Sequence, residues 1–191
     1  MIIGIIFDCY GVLVHGSLGY LKSITPDESQ REFDDIVHAS DRGLISADTY
    51  VRETARITGL TPRIIQDTIM RQEIRSDSML SYVRSLRGTY KTAMLSNVGR
   101  GSVERLFTSA ELHELFDATI LSSEVGVTKP MAKAYEIAAT QLGFSPEECL
   151  MIDDIVVNVE GARAAGMHAV LFESERQCKA DIAELLGVHS A

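Results

Sequence analysis

The stretch IIFDCYGVLV, residues 5–14, decides the fold. With Ile2, Ile3 and Gly4 ahead of it, the chain runs apolar and mostly β-branched up to Phe7 without polar alternation. That is the pattern of a strand covered on both faces. The run stops at one acid, Asp8, and the chain then turns through Tyr10 and Gly11. An aspartate at the carboxyl end of a central strand stands where open parallel sheets bind their ligands.

Downstream, from about Ser17 to Leu86, no comparable run appears, and helix starts recur at TPDESQ, SADTY and TPRIIQDTI. In the third, Thr61 serves as cap, Pro62 fits the first turn, and Ile64, Ile65, Thr68 and Ile69 make a helical stripe. The whole stretch reads as helix. The segment DSMLSYVRSLRG is a helix ended by Gly88, and the strand signal returns as YKTAMLSN. The remainder alternates. Helices are expected near 101–108 and 109–116, then strand ATILS, helix 131–142, strand CLMIDD, helix 156–165, strand HAVLF and a helix from about 175 to 186. Ser145, Pro146 and Glu148 form a capping box before CLMIDD, and Gly166 and Gly187 end their helices. A repeating βα pattern predicts an α/β, Rossmann-like parallel sheet with helices on both faces. Residues 1–14 and 79–191 are expected to form that core, and residues 15–78 an all-helical insert after the first strand.

Composition narrows the function. The 191 residues, 46% hydrophobic and 24% charged with no low-complexity tract, suit one globular core carrying a small insertion. A formal net charge of -9 argues against nucleic acid as partner, which demands clustered Lys and Arg. Cys9, Cys149 and Cys178 are odd in number, lack metal spacing and lie in or beside apolar runs, so they read as reduced thiols of a cytoplasmic protein. No Lys or Arg precedes Lys22 and Asp8 interrupts the apolar start, which does not fit a secretory signal. No segment approaches the roughly 20 apolar residues that span a membrane. A monomer or weak homodimer is the default expectation.

The strand ends supply the chemistry. The first ends at Asp8, the second at Ser96 and Asn97, and CLMI at Asp153 and Asp154, while Lys129 precedes Pro130 at the start of the helix leading into that strand. Any one of these is an ordinary cap, turn or surface residue. Together they place three carboxylates, a hydroxyl and a lysine on one edge. Carboxylate oxygens in such a group suit a hard cation such as Mg²⁺, which keeps its other positions for water and substrate phosphate. An aspartate can attack phosphorus, and a lysine can neutralise the transferring group. Two adjacent acids after a buried strand repel each other unless a cation sits there.

In this order, IIFDCYGVL, MLSN, VTKP and LMIDDIVVNVEGARAAGM resemble the four motifs of the haloacid dehalogenase superfamily of hydrolases. The resemblance implies Asp8 as nucleophile, Ser96 with Asn97 and Gly11 around the phosphate, and Lys129 as stabiliser of the intermediate. It further implies Asp8, Asp153, Asp154 and the backbone carbonyl of Tyr10 as Mg²⁺ ligands, a small phosphorylated metabolite as substrate, and the insert as a small helical cap.

Tyr10 departs from the pattern, since phosphatases of this superfamily usually carry there a second aspartate that protonates the leaving alcohol. A phenol with an ordinary pKa near 10 is a poor base at neutral pH. Three readings follow. The protein is an Mg²⁺-dependent phosphatase whose leaving group needs little protonation, for example a sugar 1-phosphate; or it resembles the 2-haloacid dehalogenases, whose first motif reads Asp-x-Tyr-Gly and whose nucleophile attacks carbon; or it keeps the fold without catalysis. The first motif favours the dehalogenase, the intact acid pair the phosphatase.

Within the insert, His15, Arg31, His38 and Arg42 are the polar residues that could face the site, though surface placement is the commoner fate of each. Alternation turns Cys9 away from the face that Asp8 serves. Tyr135 and Met131, with Ala134, Ala138 and Leu142, fall at helical spacing and read as core. Ile155, next to the acid pair, is placed to narrow the pocket.

Overall fold

The computed structural model describes residues 1–187. Its strands and helices run β1 (Gly4–Phe7), β2 (Val14–His15), α1 (Leu18–Ser23), α2 (Gln30–Asp41), α3 (Ala47–Thr58), α4 (Pro62–Gln72), β3 (Ile74–Arg75), α5 (Asp77–Leu86) and β4 (Lys91–Ser96). There follow α6 (Ser109–Leu115), β5 (Ala118–Leu121), α7 (Ser122–Val125), α8 (Ala132–Leu142), β6 (Cys149–Asp153), α9 (Val156–Ala164), β7 (His168–Leu171) and α10 (Glu175–Leu185).

Five strands form one parallel sheet in the order β5-β4-β1-β6-β7. The apolar run of β1 is explained by its two faces. Ile5 and Phe7 pack with Met79, Leu80 and Val83 of α5 and Ile182 of α10, whereas Ile6 packs with Ala134, Ala138 and Leu142 of α8 and Ala162 of α9. All three β1 side chains are fully buried, and each contributes about 1.5–3 kcal/mol by leaving water. Because β1 lies between β4 and β6, the carboxyl ends that carry Asp8, Ser96 and Asp153 are neighbours.

Helices α1 to α4 bury an apolar cluster of their own, built on Leu21, Phe33, Val51, Ala55, Ile65 and Ile69. Thr61 caps α4 by accepting from the Ile64 N–H at 3.3 Å, as its position suggested. The chain enters and leaves this block through a two-stranded antiparallel ribbon, with Val14 opposite Arg75 and His15 opposite Ile74.

Three expectations need correction. Residues 15–78 are not all helical, because β3 closes the ribbon; a two-residue strand is too short to carry a periodicity. No helix forms at 101–108. Val103 and Phe107 are buried at helical spacing, but Gly99 and Gly101 precede them, Gly101 has φ +77°, and the segment stays in turns until Thr108 opens α6 with a capping box. Met131 is not core but 51% exposed, since it sits in extended backbone ahead of α8 and so lies outside that helix's stripe. Tyr135, one turn into α8, is fully buried.

Candidate active site

Asp8 extends β1, its N–H donating to the Ile152 carbonyl of β6 at 2.9 Å. Its Oδ1 accepts the Cys9 N–H at 2.6 Å, and its Oδ2 meets the Lys129 ammonium at 2.8 Å. The same ammonium reaches Asp153 Oδ2 at 2.6 Å. Lys129 is held in place by Asn97, whose side-chain amide donates to the Lys129 carbonyl at 2.9 Å while its oxygen accepts the Lys129 N–H at 2.8 Å. Asn97 thus spends both ends of its amide on the loop that carries the lysine.

Carboxylate oxygens of Asp8, Asp153 and Asp154 come within 4.8 Å of one another. The other oxygen of Asp153 accepts the Ile155 N–H at 2.9 Å and the Asn158 amide at 3.0 Å, and Tyr135 in turn donates to the Asn158 carbonyl at 2.7 Å. Asn158 is therefore part of the arrangement, and sequence reading passed over it. Its signal is its place at the start of α9, five residues past Asp153, where its side chain returns to the strand end. Gly11 has φ +89°, and a Cβ there would lie 2.2 Å from Asp154 Oδ2, so the glycine makes room for that carboxylate.

The electrostatics follow from burial. Desolvation pushes Asp8 up to about 7, against the pull of Lys129 and reinforced by Asp153. Burial would lower Lys129, but Asp8 and Asp153 outweigh it and hold the ammonium above its ordinary value. Asp154 is also raised, by desolvation and then by Asp153. One buried ammonium leaves three acids undercompensated, and a divalent cation fits that donor set. The Ser96 hydroxyl, buried beside them, has no hydrogen-bond partner among the described residues. A buried hydroxyl left open in this way fits a ligand oxygen.

Tyr10 turns elsewhere. Its hydroxyl donates to Glu73 Oε1 at 3.0 Å, and Arg105 pairs with Glu73 at 3.2 Å. Burial and Glu73 both raise the phenol well above its ordinary value. Cys9 is fully buried in the core, where burial and then Asp8 push its thiol upward.

Beside the strand ends lies a cavity of about 480 Å³ between the helical insert and the core. Tyr10, Asn97, Val98 and Gly99 line it from the core side, and Val37, Asp41, Tyr50, Val51, Ile69 and Met70 from the insert. None of His15, Arg31, His38 and Arg42 lines it; the arginines that do are Arg100 and Arg105, from the turns after β4. Nor does Ile155, which is 49% exposed.

Known proteins share this architecture. A family model for haloacid dehalogenase-like hydrolases matches residues 2–166. The chain belongs to that family. Over 93 residues it is 39% identical to Phosphatase MT3486 of Mycobacterium tuberculosis (strain CDC 1551 / Oshkosh), a match covering 49% of this chain but only 43% of the relative. Among solved structures, a HAD-like family hydrolase from Porphyromonas gingivalis superposes with a TM-score of 0.78 at 28% identity, covering 97% of this chain and 98% of that one. The HAD family enzyme BT-2542 from Bacteroides thetaiotaomicron, in complex with magnesium and inorganic phosphate, superposes with a TM-score of 0.75 at 20% identity over 93% of this chain and 99% of that one. No helix among the described residues is long and apolar enough to cross a membrane.

Proposed function

We propose that this chain is an Mg²⁺-dependent phosphomonoester hydrolase acting on a small phosphorylated metabolite, with Asp8 as nucleophile. The observation that carries the reading is the cluster of Asp8, Asp153 and Asp154 around the single ammonium of Lys129, beside the unpartnered Ser96 hydroxyl. The phosphatase name of the Mycobacterium relative and the magnesium and phosphate bound to BT-2542 support it. A 2-haloacid fits less well, because its own carboxylate would meet three acids and one lysine.

In this reading Asp8, Asp153, Asp154 and the Tyr10 carbonyl hold Mg²⁺. Bound there, the cation supplies charge neutralisation to the acids and to the phosphate. An Asp8 oxygen attacks phosphorus and the bond to the leaving oxygen breaks, giving an aspartyl phosphate and an alcohol. Lys129 steadies the developing charge, and Ser96 donates to a phosphoryl oxygen. Water then attacks the phosphorus, the bond to Asp8 breaks, and inorganic phosphate leaves. Asn97 acts through Lys129 as a positioning residue, and Asn158 through Asp153. The helical insert, joined to the core through the β2–β3 ribbon, is the cap and receives the leaving group in the cavity.

The test is release of phosphate and of halide from panels of sugar phosphates, other phosphomonoesters and 2-haloacids, with Mg²⁺ or with chelator, beside Asp8→Asn. Phosphate release that needs both Mg²⁺ and Asp8 is expected. Metal-independent halide release would overturn the reading, and no turnover on either panel would favour a non-catalytic role.

A further inference from the structure

With the hydroxyl of Tyr10 committed to Glu73, the leaving alcohol still needs a proton. The cavity offers four carboxylates. Glu73 is taken by Tyr10 and Arg105, Asp67 lies 4.0 Å from Arg63, and Asp48 is exposed in the first turn of α3. The fourth, Asp41, ends α2, and its carboxylate has no hydrogen bond or ion pair among the described residues.

The main chain of Asp41 is anchored over the strand ends. Ser122 donates to the Asp41 carbonyl at 2.5 Å and accepts the Val98 N–H at 2.9 Å, which ties α2 to the loop two residues beyond Ser96. The approach is close on both sides. A Cβ on Gly99 would meet Ser40 Oγ at 2.3 Å, and one on Gly43 would meet the Ser123 carbonyl at 2.3 Å. The carboxylate thus sits on a fixed piece of backbone, in the same cavity as Asn97 and Tyr10. Burial pushes it up to about 6, while His38 and Lys129 pull the other way. Around it stand His38 of its own helix, Tyr50 of α3, Lys129 and Arg100 from the core, and Glu73, Arg105 and Asp67 along the cavity.

We propose that Asp41 is the catalytic acid and base, supplied by the insert in place of residue 10. Its carboxylic acid protonates the leaving oxygen as the phosphorus–oxygen bond to the alcohol breaks. The carboxylate so formed takes a proton from the water that attacks the Asp8 phosphate, which restores the acid. The inference rests on the phosphatase reading above, and explains how a chain with tyrosine at position 10 expels a poor leaving group.

The test compares kcat/KM for p-nitrophenyl phosphate, whose phenolate leaves without a proton, with that for butyl phosphate, whose alkoxide does not. Asp41→Asn is expected to lose about 10²- to 10⁴-fold on butyl phosphate and to stay within a few-fold on p-nitrophenyl phosphate. Asp41→Glu, which keeps an acid, recovers butyl phosphate turnover in part, and Tyr10→Phe keeps the wild-type ratio. The wild-type rate on butyl phosphate declines as pH rises past about 6, and Asp41→Asn loses that decline. Equal losses on both esters, no loss on either, or a selective loss in Tyr10→Phe would overturn the inference while leaving the phosphatase standing. So would a wild type that cleaves p-nitrophenyl phosphate but not butyl phosphate. A wild type that releases phosphate from no ester removes the phosphatase reading and this inference with it.

Discussion

Replacing Lys129 with methionine keeps the volume and removes the one ammonium that faces both Asp8 and Asp153. Lys129 is 3% exposed, Asp8 6% and Asp153 fully buried, so water cannot take over the lost contacts. Breaking a buried pair in this way costs about 3–5 kcal/mol, because the partner charge stays behind. The cost depends on pH. Asp8 has a folded-state pKa of about 7, above its unfolded value, so between about pH 4 and 7 the native state binds the extra proton and stability falls as pH rises. Without Lys129, which pulls Asp8 down, the upper end of that window moves beyond 7. Each further pH unit then removes about 1.4 kcal/mol per proton. The gap between Lys129→Met and wild type in metal-free buffer is therefore expected near about 3 kcal/mol at pH 5 and about 4 kcal/mol at pH 8. Urea unfolding followed by circular dichroism at both pH values measures it, and added Mg²⁺ should narrow the gap at pH 8. A loss that is equal at both pH values, or smaller at pH 8, would refute the reasoning.

Asn158→Ala removes the amide that steadies Asp153, and calorimetric titration of the metal-free protein should show Mg²⁺ affinity lower by about 10- to 100-fold. In Gly11→Ala, the positive φ costs about 1–2 kcal/mol and the new methyl displaces the Asp154 carboxylate; thermal melts should record the first effect and a raised Mg²⁺ requirement for turnover the second. Tyr10→Phe loses the hydrogen bond to Glu73 and about 1–2 kcal/mol of stability in urea melts, yet its phosphate release should remain within a few-fold of wild type.

The sheet was readable because β1 and β6 are buried on both faces and βα alternation marks a parallel core. The carboxylate edge was readable for a related reason, since strand ends in such sheets point to one side and Asp8, Ser96 and Asp153 each follow an apolar run. What escaped depends on contacts distant in sequence. Nothing near Tyr10 signals that its hydroxyl meets Glu73, 63 residues away. Asp41 likewise looks like the polar end of an amphipathic helix until Ser122 is seen to pin its carbonyl, 81 residues on. Asn97 was read as facing substrate, while its amide is taken up by the Lys129 backbone. The β2–β3 ribbon has two residues a strand, too few for a pattern to emerge.

The most direct measurement is chemical capture of the Asp8 adduct. Protein, Mg²⁺ and a turned-over phosphomonoester are mixed, quenched and treated with borohydride, which reduces an acyl phosphate to an alcohol, and the peptide carrying residue 8 is weighed by mass spectrometry. Reduction at Asp8 that disappears with chelator, together with loss of phosphate release in Asp8→Asn, is the expected result. Undiminished phosphate release from Asp8→Asn, with no reduced residue 8 in the wild type, would contradict the account.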